Sequence, residues 1–484
     1  MPSKTQEILT LFEQIDAVPR CSKHEEKISA WLMQWAADHG FSCRADPTGT
    51  LVIQVPPTAG YENSPTVVLQ GHMDMVCGKL PGLQHDFSRD PIRPVVDGDW
   101  LRAQGTTLGA DNGTALAIGL ALAEDPAVIH PPLELLFTTD EESGMSGAKQ
   151  LNPSLVSGRI LVNLDSEEEG VFIVGCAGGL TTHLRLPVEF TARPAGYTCQ
   201  TIQVSGLQGG HSGLDIHKHR ANAIRILGRI LNHFQILASV RLLDLDGGTA
   251  HNAIPRDAWA LIACKPEDLP RLKAGLLDFE AVLRREFTVT EKTLALSFEE
   301  AKQSSEPRLA LSSSDSEKAF DLLQALPSGV AEMSAEIEGF VETSNNLAVV
   351  NFENGSLHIV TSQRSSVPTR LEELTGQIES VAGLAGASVH HADEYPAWQP
   401  EPNSSLLKRS KRVYRQVFGQ EPNVETIHAG LECGIMVEKL PGIDMVSLGV
   451  TLKDPHSPGE RLYIPSIEKV WKFMTELLKS FSES

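Results

Sequence analysis

Three short apolar runs restrict the fold of this chain more than any other feature: TVVLQ at 66–70, LELLFTT at 133–139 and RILVNLD at 159–165. Each is too short for a helix and is bounded by turn residues, which reads as a buried strand. Between the first two lies DNGTALAIGLALAED (111–125), a helical pattern with small and apolar residues along one side. Two helices are also read at the start of the chain. The first has Ser3 as cap, Gln6 in the capping-box position, and Ile8, Leu11, Phe12 and Ile15 on one face. The second runs from Ser22 to His39 and is closed by Gly40. Strand and helix in alternation predict an α/β architecture, a sheet with helices on both faces.

Near LPVEFTARPAG (186–196) the pattern loosens into strands such as TIQVSG, WALIACK and SLHIVTS, separated by helices such as RANAIRILGRILNHF. The Pro-rich stretch YPAWQPEPNSS (395–405) marks a second boundary, after which helix and strand alternate again. The expected organisation is one α/β domain with a mixed, mainly parallel sheet, formed by 1–186 and 399–484. An inserted α+β domain interrupts it over 187–398. Insertions of this kind enter where the chain leaves and re-enters a domain at neighbouring points.

The formal net charge of −21 excludes nucleic acid and anionic membrane as natural partners, because both call for basic patches. No signal core is read at the N-terminus and no run reaches the length of a membrane span. The seven cysteines are odd in number and contain no CxxC pair, so neither a disulfide framework nor a Cys-ligated zinc site is expected. A reduced, cytoplasmic protein is the resulting expectation.

Parallel α/β sheets hold ligands at the carboxyl ends of their strands. The residues there are of one chemical kind. TVVLQ is followed by His72 and Asp74, LELLF by Asp140, Glu141 and Glu142, and RILVNL by Asp165; Asp111 opens a helix, and His456 follows MVSLG within a few residues. A merely solvated acidic surface would not favour strand ends so regularly. Two imidazoles with four or five carboxylates exceed the needs of one tetrahedral zinc. They suit a pair of divalent ions about 3.5–4 Å apart sharing one carboxylate. A Glu-Glu pair at a strand end can supply both a ligand and a general base.

The stretches GHMDMVCGK, GTTLGADNGTALA, TTDEESGMSGA, NLDSEEEG, GCAGG, GGHSG, HNAIP, TSQRSS, HAGLECG and HSPGERL, in order from about 71 to 462, resemble the aminoacyl-histidine dipeptidases (peptidase D, carnosine-splitting type), a branch of the co-catalytic zinc peptidases. The resemblance implies a role for each matching residue. His72 and Asp165 would hold one ion, and Glu142 and His456 the other. Asp111 would bridge the two, in a cis peptide with Asn112. Asp74 would orient His72, and Glu141 would act as general base on a metal-bridged water. In the inserted domain, the lid, His211 would polarise the scissile carbonyl. Asn252 and Arg364 would bind the substrate's C-terminal carboxylate. The implied cofactors are two divalent ions, zinc first, with manganese or cobalt as alternatives. The implied substrate is a small dipeptide, Xaa-His including β-alanyl-histidine, and the implied assembly a homodimer, with His211 in relatives donated across it. The loop LPGLQHDFSRDP is shorter than the family's, which bears on substrate preference.

Other residues have simpler readings. Asp140 receives no catalytic role, and Glu167, Glu168 and Glu169 read as a solvated run. His217 and His219 lack a third ligand, and Cys77 and Cys433 read as packing. Arg370 competes with Arg364 as carboxylate binder, and His251 is as ambiguous as its neighbour Asn252. His428 and Glu432 either line the site or merely begin a helix. The same chemistry would serve an N-acyl amino acid deacylase or a broader aminopeptidase, and a non-catalytic protein that kept the fold is the alternative of another class.

Overall fold

The computed structural model describes residues 3–301, 309–335 and 337–482. The chain divides into two compact units, Met1–Cys176 with Trp398–Thr426 and Leu431–Ser484, and Ala177–Ala397 with Ile427–Gly430.

The first unit is built on an eight-stranded sheet. Its order is Ser42–Ala45, Leu51–Val55, Leu133–Thr138, Val67–His72, Ile160–Asn163, Asp444–Ser447, Val171–Cys176 and Asn423–Ile427. The four central strands are parallel to one another and their outer neighbours antiparallel. The apolar runs supply that centre, and Val67–His72 and Leu133–Thr138 are buried along their whole length, as a strand covered on both faces must be. Register aligns the carboxyl ends, with His72 opposite Thr138, and Gln70 and Ser447 both opposite Asn163. The Ala110–Glu124 helix is apolar all round and almost wholly buried, packing Leu116 and Leu120 with Ile8 and Phe12 of the Lys4–Asp16 helix and Leu477 of the Ile464–Lys479 helix in one core. The Lys4–Asp16 helix is capped by Ser3 Oγ, which accepts from Gln6 N as expected.

A small antiparallel sheet was not visible in the sequence: Leu452–Lys453, Arg461–Tyr463, Trp100–Ala103 and Pro94–Asp97, in that order. It lays the segment after His456 beside the one before Asp111. The second unit is α+β. A nine-stranded sheet shares one core with the helices Ala223–Leu237, Leu269–Glu286, Ser313–Ala325 and Pro368–Ala385, through Ile202, Leu227, Phe234, Leu276, Phe320 and Ile378.

The cysteine expectation needs one correction. Cys21 and Cys77 form a disulfide with their Cα atoms 5.6 Å apart. Met75 N donates to Arg20 O, and Cys21 pairs with Met75 in a parallel bridge. These contacts bring together two positions 56 residues apart, which no short spacing rule detects. Cys77 is therefore a disulfide partner and not merely packing. The other five cysteines are free. Among the described residues no helix is long and apolar enough to cross a membrane.

Candidate metal centre

His72 is the last residue of its strand and is 1% exposed. Its Nε2 lies 3.1 Å from Asp111 Oδ1 and 3.4 Å from Asp165 Oδ1. The other oxygen of Asp111 is 3.1 Å from His456 Nε2, which is itself 2.9 Å from Glu142 Oε2. One carboxylate thus faces two imidazoles with different oxygens. Two sets, His72–Asp111–Asp165 and Asp111–Glu142–His456, each gather their donor atoms within 4.8 Å; a third joins Glu141 to His72 and Glu142.

Local structure explains these positions. Asp111–Asn112 is a cis peptide at the head of the Ala110–Glu124 helix. Asn112 Oδ1 accepts from the His72 backbone N–H and its Nδ2 donates to Leu164 O, pinning the helix start between two strand ends. Gly71 makes this possible, since a Cβ there would lie 2.4 Å from Asn112 Oδ1. Asp74 is fully buried. Its Oδ1 is 3.3 Å from His72 Nδ1 and accepts from Glu141 N at 3.0 Å, while Oδ2 accepts from Glu142 N at 3.2 Å. The first acid of the run has a separate task. Asp140 accepts from the Ser143 and Ser146 hydroxyls and holds the turn that follows.

The electrostatics are those of buried anions that lack enough positive charge. Burial pushes the Glu141 carboxyl well above its ordinary value, Glu142 up to about 7, and Asp165 upward. For Asp111 burial works the same way, but hydrogen bonds from His456 and His72 outweigh it and hold this carboxyl low. The imidazoles answer in kind. Burial opposes their charge, yet Asp165, Asp111 and Asp74 raise His72 well above its ordinary value, and Asp111 and Glu142 raise His456 to about 11. Glu142 Oε1 is buried without a hydrogen-bond partner. Oxygen and imidazole donors converging on this excess of negative charge fit divalent cations.

Under these donors lies a polar layer the sequence reading missed. Gln70 Nε2 and Thr138 Oγ1 each donate to Glu432 Oε2 at 2.6 Å, and Asn163 Nδ2 donates to Gln70 Oε1 at 2.5 Å. Burial pushes Glu432 up to about 7. Glu432 also begins the Glu432–Lys439 helix, so both of its sequence readings describe it. The only signal for its partners was a polar residue at the end of each apolar run.

His211, Asn252 and Arg364 lie in the second unit. His211 stands in the two-residue strand Gly210–His211 paired with Ala253–Ile254. Its Nδ1 accepts from Leu214 N at 3.0 Å and Gly213 N at 3.3 Å, so the neutral ring carries its proton on Nε2. Asn252 is exposed, and its carbonyl accepts from Ser212 N. Arg364 is 6% exposed, donates from Nη1 to Tyr395 Oη, and keeps a buried Nε without a partner. Opposite it across the sheet, Ser344 Oγ is 2.7 Å from His428 Nε2. Arg370 by contrast is exposed and paired with Glu373. His217 and His219 are exposed.

Residues 68–480 match the model of peptidase family M20/M25/M40, and the chain belongs to that family of peptide-bond hydrolases. It is 40% identical over 474 residues to the cytosol non-specific dipeptidase of Escherichia coli, covering 98% of this chain and 97% of that one. The crystal structure of aminoacylhistidine dipeptidase from Vibrio alginolyticus superposes with a TM-score of 0.84 at 39% identity, covering 98% and 96% of the two chains. Human carnosine dipeptidase 1, at 13% identity and a TM-score of 0.53 over 99% and 97% of the chains, shares the fold. The recognised family and the α/β class agree with the sequence reading, and the donor groups gathered here could hold divalent metal.

Proposed function

We propose that this chain is a dipeptidase that cleaves Xaa-His dipeptides, including β-alanyl-histidine, and related dipeptides. The observation that carries the reading is Asp111, whose two oxygens face one imidazole each, with Glu141 beside both donor sets. His72 and Asp165 would hold one ion, Glu142 and His456 the second, and Asp111 would be common to both. When bound, two divalent ions lower the pKa of a water and polarise a carbonyl. Zinc is the native ion in this proposal, supported by the mixed imidazole and carboxylate donors; manganese and cobalt suit the same set.

The protein's own groups do the rest. His72 Nδ1–H faces both the Asp74 backbone carbonyl, at 3.1 Å, and the Asp74 carboxylate, at 3.3 Å, and the ring so presents Nε2 as the donor atom. The same carboxylate holds the backbone N–H groups of Glu141 and Glu142, fixing base and ligand side by side. Glu141 takes a proton from the attacking water and returns it to the leaving amine. His211 offers Nε2–H to the oxyanion. Arg364 binds the C-terminal carboxylate with its fork of donors, aided by Asn252. A cytoplasmic homodimer is part of the proposal, resting on the motif resemblance and on the relative named as cytosolic.

The test is hydrolysis of β-alanyl-histidine, Xaa-His, Xaa-Leu and N-acetyl amino acids, with added Zn²⁺ or Mn²⁺ and after chelation, by the parent chain and by Glu141→Gln. Metal-dependent turnover of free dipeptides, lost in the variant while metal stays bound, supports the proposal. Equal rates across side chains make it a broad dipeptidase, and turnover confined to N-acetyl substrates makes it a deacylase. Turnover that persists in Glu141→Gln removes Glu141 as the base.

A further inference from the structure

Three of the backbone stretches that carry donors are the end of the Val67–His72 strand, the turn at 108–111, and the turn at 454–459 that holds His456. Two buried charged side chains, neither a donor in any of the three sets, tie these stretches together. Glu460, 2% exposed, accepts from four consecutive backbone N–H groups. Oε2 takes Leu108 at 2.7 Å and Gly109 at 3.0 Å, and Oε1 takes Ala110 at 2.8 Å and Asp111 at 3.3 Å. Arg20, also 2% exposed, binds the carbonyl side of the same turn. It donates to Gly109 O at 2.6 Å, and to Met73 O and Asp74 O at 3.2 Å each. Gly109 sits between the two, at φ +75°, and a Cβ there would lie 2.5 Å from Arg20 Nη2.

The head of the Ala110–Glu124 helix has no side-chain cap from its own Ncap residue. Its orphan N–H groups are instead satisfied from about 350 positions away in sequence, by a carboxylate four residues after His456. An ordinary cap would employ one oxygen and one or two N–H groups. Here both oxygens are used, and the link runs from one donor-bearing turn to another. Arg20 completes the chain of contacts to the strand end that carries His72 and Asp74. We propose that Glu460, backed by Arg20, is a positioning residue that sets the spacing between the His72 and His456 donor sets. This rests on the two-ion reading above.

The experiment compares the full-length parent chain with Glu460→Gln. The amide keeps one acceptor oxygen and turns an NH₂ toward two N–H groups. The expected result is a folded protein in which one of two Co²⁺ equivalents binds roughly 10–100-fold more weakly, by chelator competition and visible absorption. At limiting metal, kcat should fall at least about tenfold, with KM for the dipeptide within about threefold of the parent. Excess metal should restore part of kcat. A role in helix capping alone would lower the melting temperature and leave Co²⁺ affinity and kcat unchanged, and that result overturns the inference. If Glu460→Gln does not fold, Glu460→Asp, which keeps the charge but withdraws it by one methylene, is read by the same measures. Failure of both to fold also overturns it, since the carboxylate then holds the whole domain. A parent chain that binds fewer than two ions overturns the two-ion reading itself, whereas two ions bound equally well by parent and variant overturn this inference alone.

Discussion

Replacing Asp74 by Asn isolates the carboxylate that organises three functional groups at once. Asp74 faces His72 Nδ1 and accepts the Glu141 and Glu142 N–H groups, two contacts on one oxygen and one on the other. Burial would raise its pKa, but bonds with His72 and the Glu141 N–H outweigh burial, so the native group is an anion. An asparagine keeps one oxygen, on which His72 and Glu141 can remain. Its NH₂ then faces the Glu142 N–H. One charge-assisted hydrogen bond is lost, about 1.5–3 kcal/mol, and a buried N–H is left without an acceptor, about 1–3 kcal/mol. These overlap, so about 2–4 kcal/mol is the expected total, or roughly 30- to 1,000-fold. Part should appear as metal affinity weakened about 10–100-fold, because the ring of His72 loses its anionic partner. The remainder should appear in kcat at saturating metal, through misplacement of Glu141 and Glu142. Metal content by mass spectrometry, chelator competition and steady-state kinetics on a free dipeptide separate the two. Metal affinity and kcat both within about twofold of the parent, in a folded protein, would refute the reasoning.

Other outcomes follow from the same geometry. Arg364→Lys should raise KM about 10–100-fold with kcat little changed, because one ammonium replaces a bidentate fork; an N-to-C comparison with a dipeptide amide should lose that difference. Gly71→Ala should cost about 1–3 kcal/mol by overpacking against Asn112 and Ala115, read as a lowered urea midpoint together with weaker metal binding. His428 gives a pH signature. Burial lowers its pKa from 6.5 to about 3. The unfolded chain therefore binds a proton that the folded chain refuses. The stability this neutral ring permits is complete above about pH 6.5 and is lost as pH falls toward 3, with a slope of up to about 1.4 kcal/mol per pH unit. Melting temperature against pH should show the slope, and His428→Gln should flatten it.

The centre of the sheet was legible because burial on both faces leaves a plain mark: TVVLQ, LELLFTT and RILVNLD have few other homes. The polar residues that follow them were legible for the same reason, as strand ends are where such a sheet displays its chemistry. Contacts made across long stretches of sequence were not. Cys21 and Cys77 meet through a backbone bridge with no local motif. Arg20 lies in the unremarkable stretch VPRCS, and its four acceptors include three carbonyls, which any residue could supply. Glu460 was within sight, inside HSPGERL, but its task depends on a small sheet whose strands are two to four residues long. Such strands carry too few alternating positions to be read by pattern. The return of Ile427–Gly430 to the second unit escaped for a similar reason, being the last residue of the Asn423–Ile427 strand and the three residues after it.

The partnership of Asp111 with His456 spans 345 residues, and the whole second unit is encoded between them. This separation has a consequence in time. A chain emerging from the ribosome completes its apolar runs early and holds Asp111, Glu142 and Asp165 long before the imidazole that faces two of them exists. At about 5–20 residues per second, the interval between Asp111 and His456 is roughly 17–70 seconds. During it the half-made centre is a cluster of carboxylates with one histidine, able to attract cations but without its second imidazole. The parent chain therefore gains its full donor set only near the end of synthesis, and nascent fragments ending before His456 should hold metal weakly and hydrolyse nothing.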